Sequence, residues 1–461
     1  MSADIIIIGA GPAGMSAAIT AADEGAKVLL LDDQPTPGGQ IYRAIEAAGD
    51  KQAKILGPDY MAGKSLTETM RARNIEYVTD ASVWQVTDER EVGYSTGGQA
   101  RLVTASAIIL ATGAMERPFP IKGWTLPGVM MAGAAQTMLK TSGLAADGAI
   151  FAGCGPLLYL VAHQYLQAGV NIAAIVDTTA KSNRLQALAH LPGALRRWDL
   201  LLKGQKWQSD IRKSGTRIID DVRALRVLGE TKAEGLSVNT GGSWQDIQSD
   251  HVFLHQGVVP NVNLSFAAGL DHNWDERQLC WRPDTDPWCG ASIDGIYVAG
   301  DGGGIGGGLA ARAGGEIAAL GALAKLGRID TTARDAKATV ARATLSRELC
   351  IRPFLDTWFR PSDDFRVPTD DDAIICRCEE LSLKDIRDTI EIGLVGPNQL
   401  KSFCRAGMGP CQGRFCGLTV QELIAKQTKR PAADVGYYRL RPPIKPLRLE
   451  ELANLQIDDD A

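Results

Sequence analysis

Apolar positions in this chain come in short bursts set between glycines. Residues 5–8 are four consecutive isoleucines, and a second apolar run covers residues 28–31. Runs of this length, bounded by turn residues, read as strands of a parallel sheet buried on both faces. Between them an alanine-rich stretch, residues 14–24, reads as a helix, so the chain opens with strand 4–8, glycine turn, helix and strand 27–31. The pattern returns with strand 149–151, turn Gly153-Cys154-Gly155-Pro156, helix 157–168 and strand 171–176. A duplicated βαβ unit predicts an α/β fold with two dinucleotide-binding, Rossmann-like domains. Residues 183–214 form a helical excursion carrying Trp198 and Trp207, and the sequence assigns it no role. A further helix is predicted over 329–349. Pro353, Pro361, Pro368 and the acidic run Asp370, Asp371 and Asp372 follow it and mark a linker.

The first glycine turn carries specific chemistry. Gly9 permits the tight turn, Gly11 lets backbone approach a pyrophosphate, and Gly14 lets the helix lie close to the strand. With Pro12 and Ala13 they open a helix whose N-terminal amides face phosphate oxygens. Asp32, eighteen residues after Gly14, ends the second strand, where a carboxylate accepts ribose hydroxyls. These parts report an ADP moiety, shared by FAD, NAD and ATP. Three further segments favour FAD: Gly38-Gly39-Gln40-Ile41-Tyr42-Arg43, then Ala111-Thr112-Gly113 closing the first sheet, then Gly300-Asp301-Gly302. With them the chain resembles the two-dinucleotide-domain flavoprotein disulfide reductases. That resemblance implies that the Asp301 carboxylate meets the flavin ribityl chain.

Two departures qualify the resemblance. None of the nine cysteines forms a C-x2-C or C-x4-C pair within these domains, so dithiol chemistry is not expected. Cys154 reads as a packed residue, and Cys280 and Cys289 lie in a Trp-containing loop. In the second turn Leu158 replaces the third glycine and Asp177 comes one residue late, so a retained fold with a weakened or lost nicotinamide site is expected. The five histidines have no metal spacing, and His255 reads as structural.

Composition narrows the class. With 461 residues, 45% hydrophobic and 22% charged, the chain can fill two or three cores, and a net charge of −5 offers no field for nucleic acid. No apolar run approaches the roughly 20 residues of a membrane span, and no signal peptide precedes the first strand, so a cytoplasmic protein is expected. Five cysteines, however, fall between Cys376 and Cys416, which in a reducing compartment argues for metal. Cys376-Arg-Cys378 and, after 32 intervening residues, Cys411-Gln-Gly-Arg-Phe-Cys416 give C-x-C and C-x4-C spacing. Four thiolates hold a [2Fe–2S] cluster or a zinc ion, and the C-x-C pair with its neighbouring glycines favours the cluster. The segment resembles the bacterioferritin-associated ferredoxin-like [2Fe–2S] domain, which implies ligands Cys376, Cys378, Cys411 and Cys416, with Cys404 a neighbour.

Flavoprotein domains, cysteine module and a Tyr437-to-Pro446 tail together resemble the α subunits of heteromeric, dye-linked amino-acid and opine dehydrogenases. Relatives include opine oxidases, proline and hydroxyproline dehydrogenases, hydrogen cyanide synthase and, more distantly, the α chain of sarcosine oxidase. The resemblance implies a β subunit with its own FAD that oxidises the substrate C–N bond, with or without a further small subunit. It also implies FMN at the subunit interface, a relaying [2Fe–2S] cluster and an external electron acceptor. No substrate clamp is identifiable in this chain, Arg43 and Arg117 being the best loop candidates. The expected organisation is an FAD-binding domain from 1–115 and 290–330, a second dinucleotide domain over 116–289, a linker over 331–372, a small, mainly helical [2Fe–2S] domain over 373–430 and an extended tail over 431–461. Two competing readings are a self-contained NAD(P)H-dependent reductase of an external carrier and a zinc-stabilised assembly protein.

Overall fold

The computed structural model describes residues 3–457; the first two residues of the expected FAD domain and the last four of the expected tail lie outside it. The isoleucine run forms strand Ala3–Ile8, flanked in parallel by Val28–Leu31 and by the second half of Gln99–Leu110. Glu76–Val78 and Ile296–Val298 extend this parallel sheet at its two sides. Ile5, Ile6 and Ile7 are inaccessible because helices cover one face and a β-meander, Ser82–Val86 and Glu91–Thr96, curls over the other. Helix Pro12–Asp23 lies against Gly308–Lys325, and a side chain at Gly315 would overlap the Ala13 carbonyl, so two helices rich in Ala and Gly pack backbone to backbone.

The second unit repeats the plan. Its sheet runs Arg217–Ile219, Ile172–Asp177, Ala149–Cys154, Val252–Gln256, Val129–Met131, all parallel, with helix Pro156–Gln167 after the glycine turn. Phe151, Tyr165 and Phe253 meet edge to face at 5.1–5.6 Å in its core. Each buried ring of this kind contributes about 2–3 kcal/mol of burial free energy. The fold is thus α/β with two Rossmann-type units, as the duplicated pattern predicts, followed by a helical C-terminal part.

The helix predicted over 329–349 is present as Thr331–Leu349, and the rest of 331–372 carries two more helices, Arg352–Trp358 and Asp363–Arg366. The first is capped by Asp330, whose side chain accepts the Ala333 amide at 2.8 Å, while Ile351 and Phe354 fill a pocket against Ala187 and Ala194 of the helical excursion. The cysteine segment then folds as a small hairpin with helices Leu383–Glu391, Pro397–Cys404 and Gly417–Thr428 around Ile386, Leu400, Val420 and Ile424. From Tyr437 the chain returns to the first domain: the Ile444 amide bonds the Trp84 carbonyl at 3.0 Å, and Gln456–Ile457 pairs with Arg101 and Leu102. Among the described residues no helix is long and apolar enough to cross a membrane.

Candidate functional site

The glycine turn of the first unit is shaped by backbone contact. Gly9 sits at φ +105°, and a Cβ there would overlap the Ala111 carbonyl; a Cβ on Gly14 would overlap the carbonyl of Gly9 itself. Only glycine fits at both. Gly39 (φ +59°) brings its backbone onto Gly11, so the Gly38–Gly39 segment and the turn form one cradle. The helix starting at Pro12 has no side-chain cap, which leaves its first amides available to an anion. Gly300 abuts Ala13 and Gly302 abuts Thr112, closing the cradle from the far end of the sequence.

Asp32 is buried, and its two oxygens accept the amides of Ala10 and, at 2.8 Å, Gln34. Burial pushes its pKa up, with those amides opposing. Its carboxylate therefore orders the turn, a role the spacing of the motif does not convey, and ribose hydroxyls would share these oxygens. Asp301 Oδ1 accepts the Gly306 and Gly307 amides at 2.8 and 2.9 Å, pinning the glycine-rich loop ahead of helix Gly308–Lys325. Arg43 donates to the Gln34 side chain, and its carbonyl accepts the Tyr60 hydroxyl at 2.7 Å. Thr112 donates to the Asn261 carbonyl at 2.9 Å, and the Asn261 amide returns to Gly113 at 2.9 Å, so the Ala111-Thr112-Gly113 loop is tied to the second unit.

One residue in this region carries no signal in the sequence. Lys140 is buried, and its ammonium donates to the Gln40 carbonyl and to Gln136 Oε1, both at 2.9 Å. Burial first, and then Arg43, lowers its pKa to about 7. No pattern flags it, because a lysine in an Ala- and Thr-rich helix reads as surface. Arg117 is a correction. Expected in an exposed loop, it is buried, donating to the carbonyls of Gln278 (3.0 Å) and Leu279 (2.7 Å) and facing Glu422 at 3.8 Å. It is closed off from any substrate. Arg366 also pairs with Glu422, so two arginines and one carboxylate fasten the cysteine module to the rest of the chain.

The cysteine quartet is drawn into two contacts. Cys376 meets Cys416, and Cys378 meets Cys411. The Cys416 thiol, followed by the amides of Gly407, Glu379 and Cys378, holds the Cys376 pKa down to about 6 against its burial. Tyr438 packs on Gly407 and Gly413, with its hydroxyl 3.9 Å from the Cys416 sulfur. Cys404 bonds the Leu400 carbonyl of its own helix instead. Among the described residues no group of three or more His, Cys, Asp or Glu is gathered as a ready metal site. The donors nevertheless suit a soft metal, with four thiols, backbone amides directed at sulfur and small glycines around them. The buried thiols elsewhere are inert, burial raising Cys154, Cys280 and Cys289 each to about 12. His255 pairs through Nδ1 with Glu116 at 2.6 Å, and Glu116 accepts the Gly133 amide at 2.8 Å, a structural link.

Residues 3–315 match the pyridine nucleotide-disulphide oxidoreductase family, and residues 371–455 match the sarcosine oxidase A3 domain. An opine oxidase subunit of Rhizobium meliloti is 45% identical, over 98% of this chain and 87% of the relative. The chain belongs to this family of opine oxidase subunits. The family extends to hydrogen cyanide synthase subunit HcnB of Pseudomonas protegens, 30% identical over 97% of both chains. The crystal structure of L-proline dehydrogenase from P. horikoshii shares its fold, with TM-score 0.72 and 20% identity over 98% of this chain and 79% of that one. As a member of the opine oxidase family the chain is a flavin-dependent oxidoreductase, and residues 3–315 have an FAD-binding fold.

Proposed function

We propose that this chain is the electron-transferring α subunit of a heteromeric dye-linked dehydrogenase that oxidises the C–N bond of an opine or secondary amino acid. A partner β subunit with its own FAD performs that oxidation, and FMN lies between the subunits. The observation that supports this reading is the junction between cradle and cysteine module. Buried Asn263 donates to the Gln412 carbonyl, beside Cys411, at 3.0 Å, while Asn261, two residues earlier, accepts Thr112 from the cradle. Three residues thus connect the two candidate cofactor sites.

In this reading Gly9, Gly11, Pro12, Ala13 and Gly14 hold the FAD pyrophosphate, Asp32 the ribose, and Gly39, Gln40, Arg43, Ala111, Thr112, Gly113, Gly300 and Asp301 the flavin half. Cys376, Cys378, Cys411 and Cys416 hold a [2Fe–2S] cluster, which supplies one-electron chemistry when bound. The chain's own groups position these cofactors and keep water from the path between them. Tyr437 does so by stacking on Phe266 at 5.1 Å, and Tyr438 by roofing the Cys411 loop. The domain boundaries follow the same division: 1–115 with 290–330 for FAD, 116–289 for the second unit, 331–372 as a helical connection, 373–430 for the cluster and 431–461 as tail. A cytoplasmic setting would keep the nine cysteines out of disulfides, leaving four for the cluster.

Expression with and without the β subunit tests the assignment. Alone, the chain should not oxidise opines or proline; oxidation at full rate without a partner would overturn the relay role. It should carry iron and acid-labile sulfide in equal amounts, and Cys411→Ser should lose most of both while Cys404→Ser keeps them. Zinc without iron would remove the cluster and leave a zinc-stabilised assembly protein.

A further inference from the structure

In open α/β sheets a nucleotide binds outside the carboxyl ends of the strands, at the point where strand order reverses. In the second unit that point lies between Ala149–Cys154 and Val252–Gln256, because the helix after the first strand leads to Ile172–Asp177 on one side and the last strand pairs on the other. The crevice there is crossed by the chain's own side chains. Gln256 is buried; its Oε1 accepts the Cys154 thiol at 3.3 Å, and its Nε2 donates to Thr178 Oγ1 at 3.0 Å. One amide thereby spans the ends of all three strands.

The acid at the end of the second strand is also engaged. Asp177 Oδ2 accepts the Tyr159 hydroxyl at 2.6 Å and Oδ1 the Thr179 amide at 2.8 Å. Tyr159 projects from the helix that would present its N-terminus to a pyrophosphate, so it stands on the ribose side of the crevice. Over the mouth runs the segment after helix Arg352–Trp358. The Phe359 carbonyl lies 3.5 Å from the Cys154 sulfur inside the glycine turn, and the Arg360 carbonyl accepts the buried Asn183 amide group at 2.8 Å. Arg184 lies 6.0 Å over the Trp358 ring, and Arg360 reaches across to the Glu276 carbonyl at 2.6 Å. These contacts tie the segment to the glycine turn, to the helix after Asp177 and to the hairpin loop at Glu276.

We infer that residues 352–360 are a built-in plug of the second dinucleotide cleft, held by Asn183 and Arg184 and completed by Gln256 and Tyr159, so that the cleft takes no nicotinamide nucleotide. Electrons then cannot enter this chain from NADH or NADPH by that route. The inference stands apart from the relay reading, since a plugged cleft is compatible with any other electron donor.

Equilibrium binding of NADH to the intact protein, followed with amide hydrogen exchange, tests it. No saturable binding at millimolar NADH is expected, with exchange at 153–156 and 352–360 unchanged by the nucleotide. Saturable binding accompanied by altered exchange in those two segments would overturn the plug, whether or not the flavin is bleached. Asn183→Ala with Trp358→Ala removes two anchors, and its affinity for ADP-ribose should rise at least tenfold over the parent. A folded double variant that shows faster exchange at 352–360 and still binds no ADP-ribose would show that the segment is not what closes the cleft.

Discussion

The two glycine turns of this molecule start from nearly the same sequence, Gly9-Ala10-Gly11-Pro12 and Gly153-Cys154-Gly155-Pro156, and end in opposite states. Around the first, glycines bring neighbouring backbone close, and the helix amides after either turn have no side-chain cap. Around the second, Gln256 bonds Thr178, Tyr159 bonds Asp177, and the Phe359 carbonyl of a returning loop reaches Cys154. A glycine motif records how a strand turns into a helix; whether a cleft remains depends on what the rest of the chain lays across it. The substitution that matters most lies just beyond the paired turns. Gly14 lets helix and strand touch, whereas Leu158 in the matching place is buried in the shared core.

The sharpest way to break this contrast is Gly14→Val. The new side chain would collide with the Gly9 carbonyl, costing about 3 kcal/mol from overpacking, and flavin should be absent from the purified protein by absorbance. Leu158→Ala in the second turn should lower unfolding stability by a similar figure, about 2–5 kcal/mol. It should leave flavin content unchanged, which denaturant titration and absorbance together would show. A smaller effect is expected from Lys140→Met. The folded-state pKa of Lys140 is about 7 against an ordinary 10.5, so between those values the unfolded chain holds a proton the folded chain has released. Stability from this group therefore rises as pH climbs through that window, and below it the full burial penalty persists. The variant should lose that rise, visible as a flatter dependence of the denaturation midpoint on pH. Least of all, Lys445→Ala removes an exposed pair with Asp33 at 3.3 Å and should shift stability by no more than about 1 kcal/mol, with flavin retained.

Much of this was legible in the sequence because it is written locally. The Gly9 turn, the parallel strands, Asp32 and the four cysteines announce themselves by spacing, and the structure places Gly9 and Gly14 where a side chain would collide. What could not be read depends on partners far away in the chain. Arg117 looked exposed because its acceptors, the carbonyls of Gln278 and Leu279, arrive some 160 residues later. Pro353, within the expected linker, sits in the first turn of a helix, where proline is tolerated. The plug is invisible for the same reason, since its contacts with Cys154 and Asn183 run through the carbonyls of Phe359 and Arg360, which every residue possesses.

The return of the chain to its first sheet bears on how the molecule is made. Strand Ile296–Val298 supplies the edge beside Gln99–Leu110, and Gln456–Ile457 pairs with the same long strand near its start. During synthesis the first sheet therefore waits, first for a strand from far downstream and then for residues 456–457. Contacts of such separation make assembly slow and leave strand edges open in the interim. A ribosome-bound intermediate lacking residues 456–457 should expose the Arg101–Leu102 edge, making that edge the place where a chaperone, or premature aggregation, would act first.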